Sequence, residues 1–84
     1  MLHIHRSLGQ QIRLENTETR QIYFIKLVTY GSFHCFVRVN KDRDHVLEEG
    51  DTTQIDDCLL RVLRIGRGVK FGLDAPRHIL IERI

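Results

Sequence analysis

The closing stretch of the chain reads Val69-Lys70-Phe71-Gly72-Leu73-Asp74-Ala75-Pro76-Arg77-His78-Ile79-Leu80-Ile81-Glu82-Arg83-Ile84. Apolar and polar residues alternate on both sides of Asp74, Ala75 and Pro76, which is the pattern of two β-strands separated by a turn. Pro76 cannot donate a hydrogen bond to a sheet and disfavours helix at the residue before it, so the break between the strands falls there. The second strand carries Arg83 near its end. The stretch therefore predicts a pair of strands with a cationic side chain on the second.

The rest of the 84-residue chain has the same character. Gly31 and Gly66 each follow a long apolar run and precede a shorter one, which predicts two β-hairpins. Leu8 and Gly9 predict a third turn, which joins the first two strands as a hairpin. Helical periodicity with capping residues does not extend over a useful length, so the chain is predicted to be all-β. The predicted strands ahead of the closing stretch are Met1 to Arg6, Gln10 to Leu14, Ile22 to Thr29, Phe33 to Val39, His45 to Leu47 and Leu59 to Ile65.

Composition limits the protein to one small domain and favours no partner by charge alone. The 13 Lys and Arg against 11 Asp and Glu give a net charge of +2, which is a smaller basic excess than most nucleic-acid binders of this size carry. Cys35 and Cys58 lie in apolar segments without a pairing pattern and are predicted to be reduced core residues. No signal peptide or membrane-spanning run is present, so a cytoplasmic location is expected.

No group of residues predicts an enzyme, a metal site or a cofactor. His3 and His5 share one face of a strand, but no third ligand is spaced to complete a metal site. His34 and Cys35 are neighbours on a strand and point to opposite faces, so they do not form a nucleophile and base. The four phenylalanines fall on strands rich in aliphatic residues and are expected in the core, whereas Tyr30 lies in a turn and is expected to be exposed.

The order of strands and turns indicates an internal repeat, with residues 1–49 as the first half and residues 50–84 as the second. Each half contains a long strand, a glycine turn and a shorter strand that ends on Asn40 or Asp74. The segment His45 to Leu47 is interpreted as the closing strand of the first half, matching Ile79 to Arg83 in the second. On this interpretation the second half lacks an opening strand.

Two segments resemble the CsrA/RsmA carbon storage regulator family. Met1-Leu2-His3-Ile4-His5-Arg6 is similar to the opening strand of that family, and Gly72-Leu73-Asp74-Ala75-Pro76 is similar to its glycine to Ala-Pro signature. The resemblance implies a small bacterial translational regulator. It also implies an interlocked β-sandwich or barrel that binds GGA-containing hairpin loops of messenger or small RNA. Such a protein is not an enzyme and needs no cofactor.

One departure from the family pattern leaves two interpretations open. Residues 22–49 form roughly an extra half-domain between the two matching ends. Either two family units are fused, so that one chain is a monomeric pseudo-dimer, or one unit carries an insertion and still forms a homodimer. The repeat of the strand plan within the extra segment favours the fusion.

The resemblance also implies which residues bind RNA. The family forms each site from the opening strand of one unit and the closing strand of the other, and an arginine on each strand contacts RNA. The matching residues here are Ile4 and Arg6 on one strand with Ile81 and Arg83 on the other, followed at second rank by Ala75, Pro76, Arg77 and Glu82. At the second site Glu48 and Glu49 stand where the arginine is expected, and because carboxylates repel phosphate that site is predicted to be inactive.

Two alternatives accompany this prediction. In the first alternative the arginines are solvent-exposed residues of edge strands, whose charge prevents two sheets from pairing edge to edge. The chain is then a degenerate protein-interaction module that pairs with a regulator chain or another protein through an open strand edge. The second half is also rich in basic residues, which predict either an extension of the RNA track or a solvated sheet face; they are Arg61, Arg64, Arg67, Lys70 and Arg77.

Overall fold

The protein is all-β. The computed structural model describes all 84 residues and contains nine strands and no helix. No helix is therefore present that could cross a membrane. The strands are β1 (Leu2–Arg6), β2 (Gln11–Asn16), β3 (Ile22–Tyr30), β4 (His34–Val39), β5 (Asp44–Glu48), β6 (Thr52–Ile55), β7 (Cys58–Gly66), β8 (Gly68–Asp74) and β9 (Ile79–Arg83).

The strands form two antiparallel sheets that enclose one apolar core. The four-stranded sheet has the order β1-β8-β7-β6, and the five-stranded sheet has the order β5-β4-β3-β2-β9. Alternate residues of each central strand point inward, as the period of two predicts. The most buried large side chains come from both sheets; they are Ile4, Ile12, Leu14, Ile25, Leu27, Leu60, Phe71 and Leu73. Burial of each contributes about 1.5–3 kcal/mol.

The two glycine-turn hairpins are confirmed, but two other predicted pairings are wrong. β3 pairs with β4 and β7 pairs with β8, as the sequence predicts. β1 does not pair with β2, because β1 lies on β8 in the other sheet. β8 and β9 also lie in different sheets, and the Ala75–His78 segment carries the chain between them. Alternation identifies the inward residues of a strand without identifying its neighbour, so these crossings are invisible in the pattern.

The cysteines match the prediction, and the aromatic residues match it only in part. Cys35 and Cys58 are buried free thiols, and burial raises the pKa of each to about 11. Phe71 is buried, whereas Phe24 is 40% exposed and Phe33 is 79% exposed. Tyr30 packs against the core instead of projecting from its turn, and its hydroxyl accepts a 2.9 Å hydrogen bond from the amide of Gly68.

The strand pairing repeats itself within the chain. The order β1-β8-β7-β6 corresponds strand for strand to β5-β4-β3-β2, and equivalent residues keep the same register. Gln11 lies opposite Lys26 as Thr52 lies opposite Arg61. Both long hairpins also carry a register shift at the same place, between Leu27 and Thr29 in one and between Val62 and Arg64 in the other.

The turns that enter β2 and β6 also have the same geometry. Gly9 and Gly50 both have positive φ, at 79° and 88°. The amide of Gly9 donates to the Leu27 carbonyl over 2.8 Å, and the amide of Gly50 donates to the Val62 carbonyl over 2.7 Å. A positive φ is easily reached by glycine and strained for other residues, which explains why glycine stands at both turns.

This repeat corrects the predicted division of the chain at residues 49 and 50. β5 lies beside β4 as β1 lies beside β8, so it is the opening strand of the second half and not the closing strand of the first. The boundary therefore falls ahead of β5. β9 is the strand without a counterpart, which means that the first half lacks a closing strand.

An ion pair fastens the connection between β8 and β9 to the turn between β6 and β7. Nε2 of His78 lies 2.6 Å from Oδ2 of Asp57 and 4.0 Å from a carboxylate oxygen of Glu18. The hydrogen bond with Asp57 is the main cause that raises the pKa of His78. A raised pKa means that the protonated imidazole stabilises the fold fully below the unfolded pKa, about 6.5, and that this contribution is lost as pH rises through the folded value.

Asp57→Asn should therefore destabilise the protein more at pH 6 than at pH 8, because only the protonated His78 gains from the carboxylate. Thermal unfolding of the wild type and the variant at both pH values measures this difference. Glu18→Gln is the matched control, and its effect should be smaller because its carboxylate lies 4.0 Å from the ring. An equal loss of Tm at both pH values for Asp57→Asn would contradict the assignment.

Candidate nucleic-acid interface

β1 and β9 lie at the edges of different sheets and meet at one side of the molecule, as the resemblance predicted for the opening and closing strands. The guanidinium of Arg6 donates to the backbone oxygens of His5, Gln11 and Ile84, over 2.7, 3.2 and 3.2 Å. Nη2 of Arg83 donates to the carbonyl of His3 over 3.3 Å. Arg83 thus contacts β1, the strand that carries Arg6, and Arg6 contacts Ile84, the residue that directly follows Arg83.

The charges of these two arginines are not paired with side-chain carboxylates. Every ion pair that arginine forms in the protein belongs to Arg13, which contacts Glu15 and Glu82, or to Arg38, which contacts Asp44. Arg6 and Arg83 bond only to main-chain oxygens, and both guanidinium groups retain free N–H donors. Two guanidinium groups on adjoining edges, neither of them paired with an Asp or Glu side chain, attract an anionic ligand.

The other predicted site residues have different surroundings. Ile4 is 1% exposed and belongs to the core, and Ile81 is partly buried against the core, so both fix their strands in place. Ala75, Pro76 and Arg77 are exposed in the connection before β9. Because Leu2 lies opposite Leu73, this connection follows the end of β1 that is remote from Arg6.

Glu82 is committed to a contact on a different face. Its carboxylate accepts a 3.1 Å hydrogen bond from Arg13 on β2, and the register of β2 and β9 places the two residues directly opposite each other. This ion pair occupies the outer face of the five-stranded sheet. The side chain of Glu82 is therefore held away from the neighbouring strand β1.

A basic cavity lies on the outer face of the four-stranded sheet. Its volume is ≈ 540 Å³, and its lining includes His5, Arg64, Arg67 and Lys70. His5, Lys70 and Arg64 are aligned across three adjacent strands, and Nε2 of His5 lies 2.6 Å from the carbonyl of Arg67. None of these four side chains forms an ion pair. The basic cavity is thus a separate group of basic residues, on the face of β1 opposite to the one that carries Arg6.

Sequence reasoning noted the arginines and the lysine of this cavity but missed His5. The reason is the pairing of β1, which was assigned to a hairpin with β2. Only the observed pairing with β8 brings His5 opposite Lys70. The basic composition of residues 61–70 was the available signal, and it did not show which residues share a face.

The repeat provides an internal comparison for this surface. Leu47, which lies opposite Cys35, is the counterpart of Arg6, which lies opposite Val69. The pair Val46 and Phe36 is the counterpart of the pair His5 and Lys70. The counterpart of Arg6 is therefore a core residue, and the outer face of the second copy carries Val46 and Phe36 where the first copy carries His5 and Lys70. No strand corresponds to β9 in the second copy. The prediction that Glu48 and Glu49 occupy the place of Arg83 there is therefore wrong. Their carboxylates belong to the end of β5 and to the turn that follows it.

Comparisons of this chain with models of known protein families, with curated proteins and with solved structures give no match. The resemblance to the CsrA/RsmA family therefore stays a prediction.

Gly68 holds β1 at this interface. Its φ is +93°, and a Cβ at this position would lie 2.6 Å from the carbonyl oxygen of Arg6 and 2.6 Å from Nε2 of His5. Gly66, at the other side of the same turn, has no atom within 4 Å of a built Cβ and no positive φ. Close approach of β1 thus requires glycine at position 68 and permits a side chain at position 66.

Gly68→Ala should lower the free energy of unfolding by about 1–3 kcal/mol through backbone strain, with a further loss from displacement of β1. Urea unfolding measures the first effect, and hydrogen exchange of the β1 amides measures the second. Gly66→Ala is the matched control and should leave both nearly unchanged. If the two variants behave alike, Gly68 does not position β1.

Proposed function

We propose that the protein is a post-transcriptional regulator that binds GGA-type hairpin loops of messenger or small RNA at the junction of β1 and β9. The observation that carries the proposal is the pair of arginines without a side-chain carboxylate partner, Arg6 and Arg83, on adjoining edges of two sheets. The basic cavity on the other face of β1 adds a surface for the sugar-phosphate backbone.

The chemistry of the junction suits a single-stranded loop. A guanidinium is a planar fork of donors that matches phosphate oxygens and the O6 and N7 acceptors of guanine. β1 and β9 are terminal strands of their sheets, so each presents backbone donors and acceptors along one open edge. Bases that are splayed out of a loop expose the edges that such groups read, whereas paired bases do not. The exposed Ala75, Pro76 and Arg77 lie at the far end of β1 and lengthen the surface for flanking nucleotides.

One chain supplies one complete site under this proposal. β1 and β9 come from different halves of the same polypeptide, and the equivalent surface around β5 has neither arginine nor a closing strand. The protein is therefore a fused pseudo-dimer, which acts as a monomer in a bacterial cytoplasm without a cofactor. Bound over a translation start, it would compete with the ribosome for the messenger.

Arg83→Ala should weaken binding to a GGA hairpin by roughly 5- to 150-fold, because one good arginine contact with a base is worth about 1–3 kcal/mol. Fluorescence anisotropy with labelled hairpin RNA at two salt concentrations measures the loss and its salt dependence. Arg43→Ala removes the same charge from an exposed loop and is the matched control. Equal affinities of the two variants would contradict the proposal. Arg83 is a sharper test than Arg6, because it makes a single 3.3 Å hydrogen bond within the protein.

The stoichiometry tests the single-chain arrangement separately. Light scattering combined with an RNA titration should find a monomer that binds one hairpin, because only one junction carries both arginines. A homodimer that binds two hairpins would refute the pseudo-dimer and support the insertion.

A further inference from the structure

The four-stranded sheet has an unfilled strand position next to β6. In the five-stranded sheet β2 pairs with β3 on one side and with β9 on the other. β6 is the counterpart of β2 in the repeat, and it pairs only with β7. The fold thus contains two equivalent edges, of which one is covered by β9 and the other is open.

The open edge of β6 presents backbone groups that are ready to pair. Hydrogen bonds in an antiparallel ladder alternate between the two sides of a strand. The carbonyl of Asp51 accepts a hydrogen bond from the amide of Val62 on β7, so the backbone N–H and C=O groups of Thr53 and Ile55 also point toward β7. The backbone groups of Thr52 and Gln54 point away from β7, toward the open edge. Gln11, the counterpart of Thr52, exchanges two hydrogen bonds with Ile84, over 3.4 and 3.2 Å.

A cavity adjoins this edge at the place where a side chain of an added strand would enter. In the covered edge Ile81 lies opposite Leu14 and packs against the core. Ile55 is the counterpart of Leu14, so the equivalent side chain of an added strand would sit opposite Ile55. The cavity there has a volume of ≈ 240 Å³ and is lined by Tyr23, Val39, Asp42, His45, Thr53, Gln54, Ile55 and Asp56.

The lining of this cavity is partly apolar and carries negative charge. Asp56 accepts hydrogen bonds from Nδ2 of Asn16 at both carboxylate oxygens, over 3.2 Å each. Asp42 forms no ion pair. These two carboxylates attract a basic side chain and repel the phosphates of RNA. The edge is thus opposite in charge to the junction of β1 and β9.

We propose that the edge of β6 binds an extended segment of a partner protein, which adds to the four-stranded sheet as an antiparallel strand. The segment alternates apolar residues, one of them opposite Ile55, with at least one basic residue near Asp42. β9 itself has this pattern, with Ile79 and Ile81 facing the core and Arg83 two residues further on. Strand addition of this kind takes its affinity from main-chain hydrogen bonds and its specificity from alternate side chains.

The occupant is another protein and not a second copy of this chain. Two segments of this chain fit the pattern, β1 with Leu2, Ile4 and Arg6, and β9, and they are already paired along β8 and β2. A second copy would have to release Ile81 from its own core and break the bonds between Gln11 and Ile84. A partner with a free segment meets no such cost.

A synthetic peptide with the sequence of residues 77–84 is the probe for this edge, used with the full-length protein. Calorimetry should detect binding, and hydrogen exchange should show new protection of the Thr52 and Gln54 amides. Gln54→Pro should weaken binding at least tenfold, because proline removes the outward N–H. The fold should tolerate proline there, since that N–H does not pair with β7. Gln54→Ala keeps the N–H and is the matched control, with affinity close to that of the wild type.

Three results would overturn the proposal. One is peptide binding that Gln54→Pro leaves unchanged and that lowers the hydrogen-exchange protection of the Gln11 amide. This result would mean that the peptide displaces β9 from β2 and does not pair with β6. Another is self-association of the chain that Gln54→Pro abolishes, which would make a second copy the occupant. The last is absence of peptide binding to a folded wild-type protein. RNA binding is a separate property, so Gln54→Pro should not alter it and Arg83→Ala should not alter peptide binding.

Discussion

The exchange of terminal strands between the two sheets is the constraint on which the rest of the structure depends. β1 leaves its own half to pair with β8, and β9 leaves its half to pair with β2. Ile4 is consequently buried against residues that lie far from it in sequence. Neither half can bury its apolar face without the other, so the chain should fold as one cooperative unit. Such distant pairings cost loop-closure entropy before they contribute stability, which is typical of slowly folding β-proteins.

The exchange also explains why the candidate interface is composite. Arg6 and Arg83 belong to strands from opposite ends of the sequence, and they meet only because both strands have crossed. Arg6 has a structural part as well, since it bonds to backbone oxygens of His5, Gln11 and Ile84. The contact that closes this side of the molecule therefore also orients the guanidinium. A ligand at the junction would stabilise the pairing of the two sheets, since binding to the folded state favours it by mass action.

Sequence alone could predict much of this fold, and its failures have one physical cause. Period-two alternation identified every strand except β6 (Thr52–Ile55), and Gly31 and Gly66 identified the two hairpins. A strand pattern does not encode its neighbour, so the placement of β1 on β8 and of β5 beside β4 was not accessible from it. The resemblance at the two ends did predict that β1 and β9 would meet. It could not predict that Phe33 would be 79% exposed, because exposure depends on how the turn after β3 projects from the sheet.

The repeat has kept its backbone while its two surfaces have diverged. Register, bulges and glycine turns are the same in both halves, because each is required to form the shared core. Side chains outside the core are free of that requirement, and His5 with Lys70 on one sheet corresponds to Val46 with Phe36 on the other. The covered edge at β2 lies beside the cationic junction, and the open edge at β6 lies beside Asp42 and Asp56. Opposite charges at equivalent positions would keep RNA and a basic protein strand from competing for the same edge, so one small fold can present two separate binding surfaces.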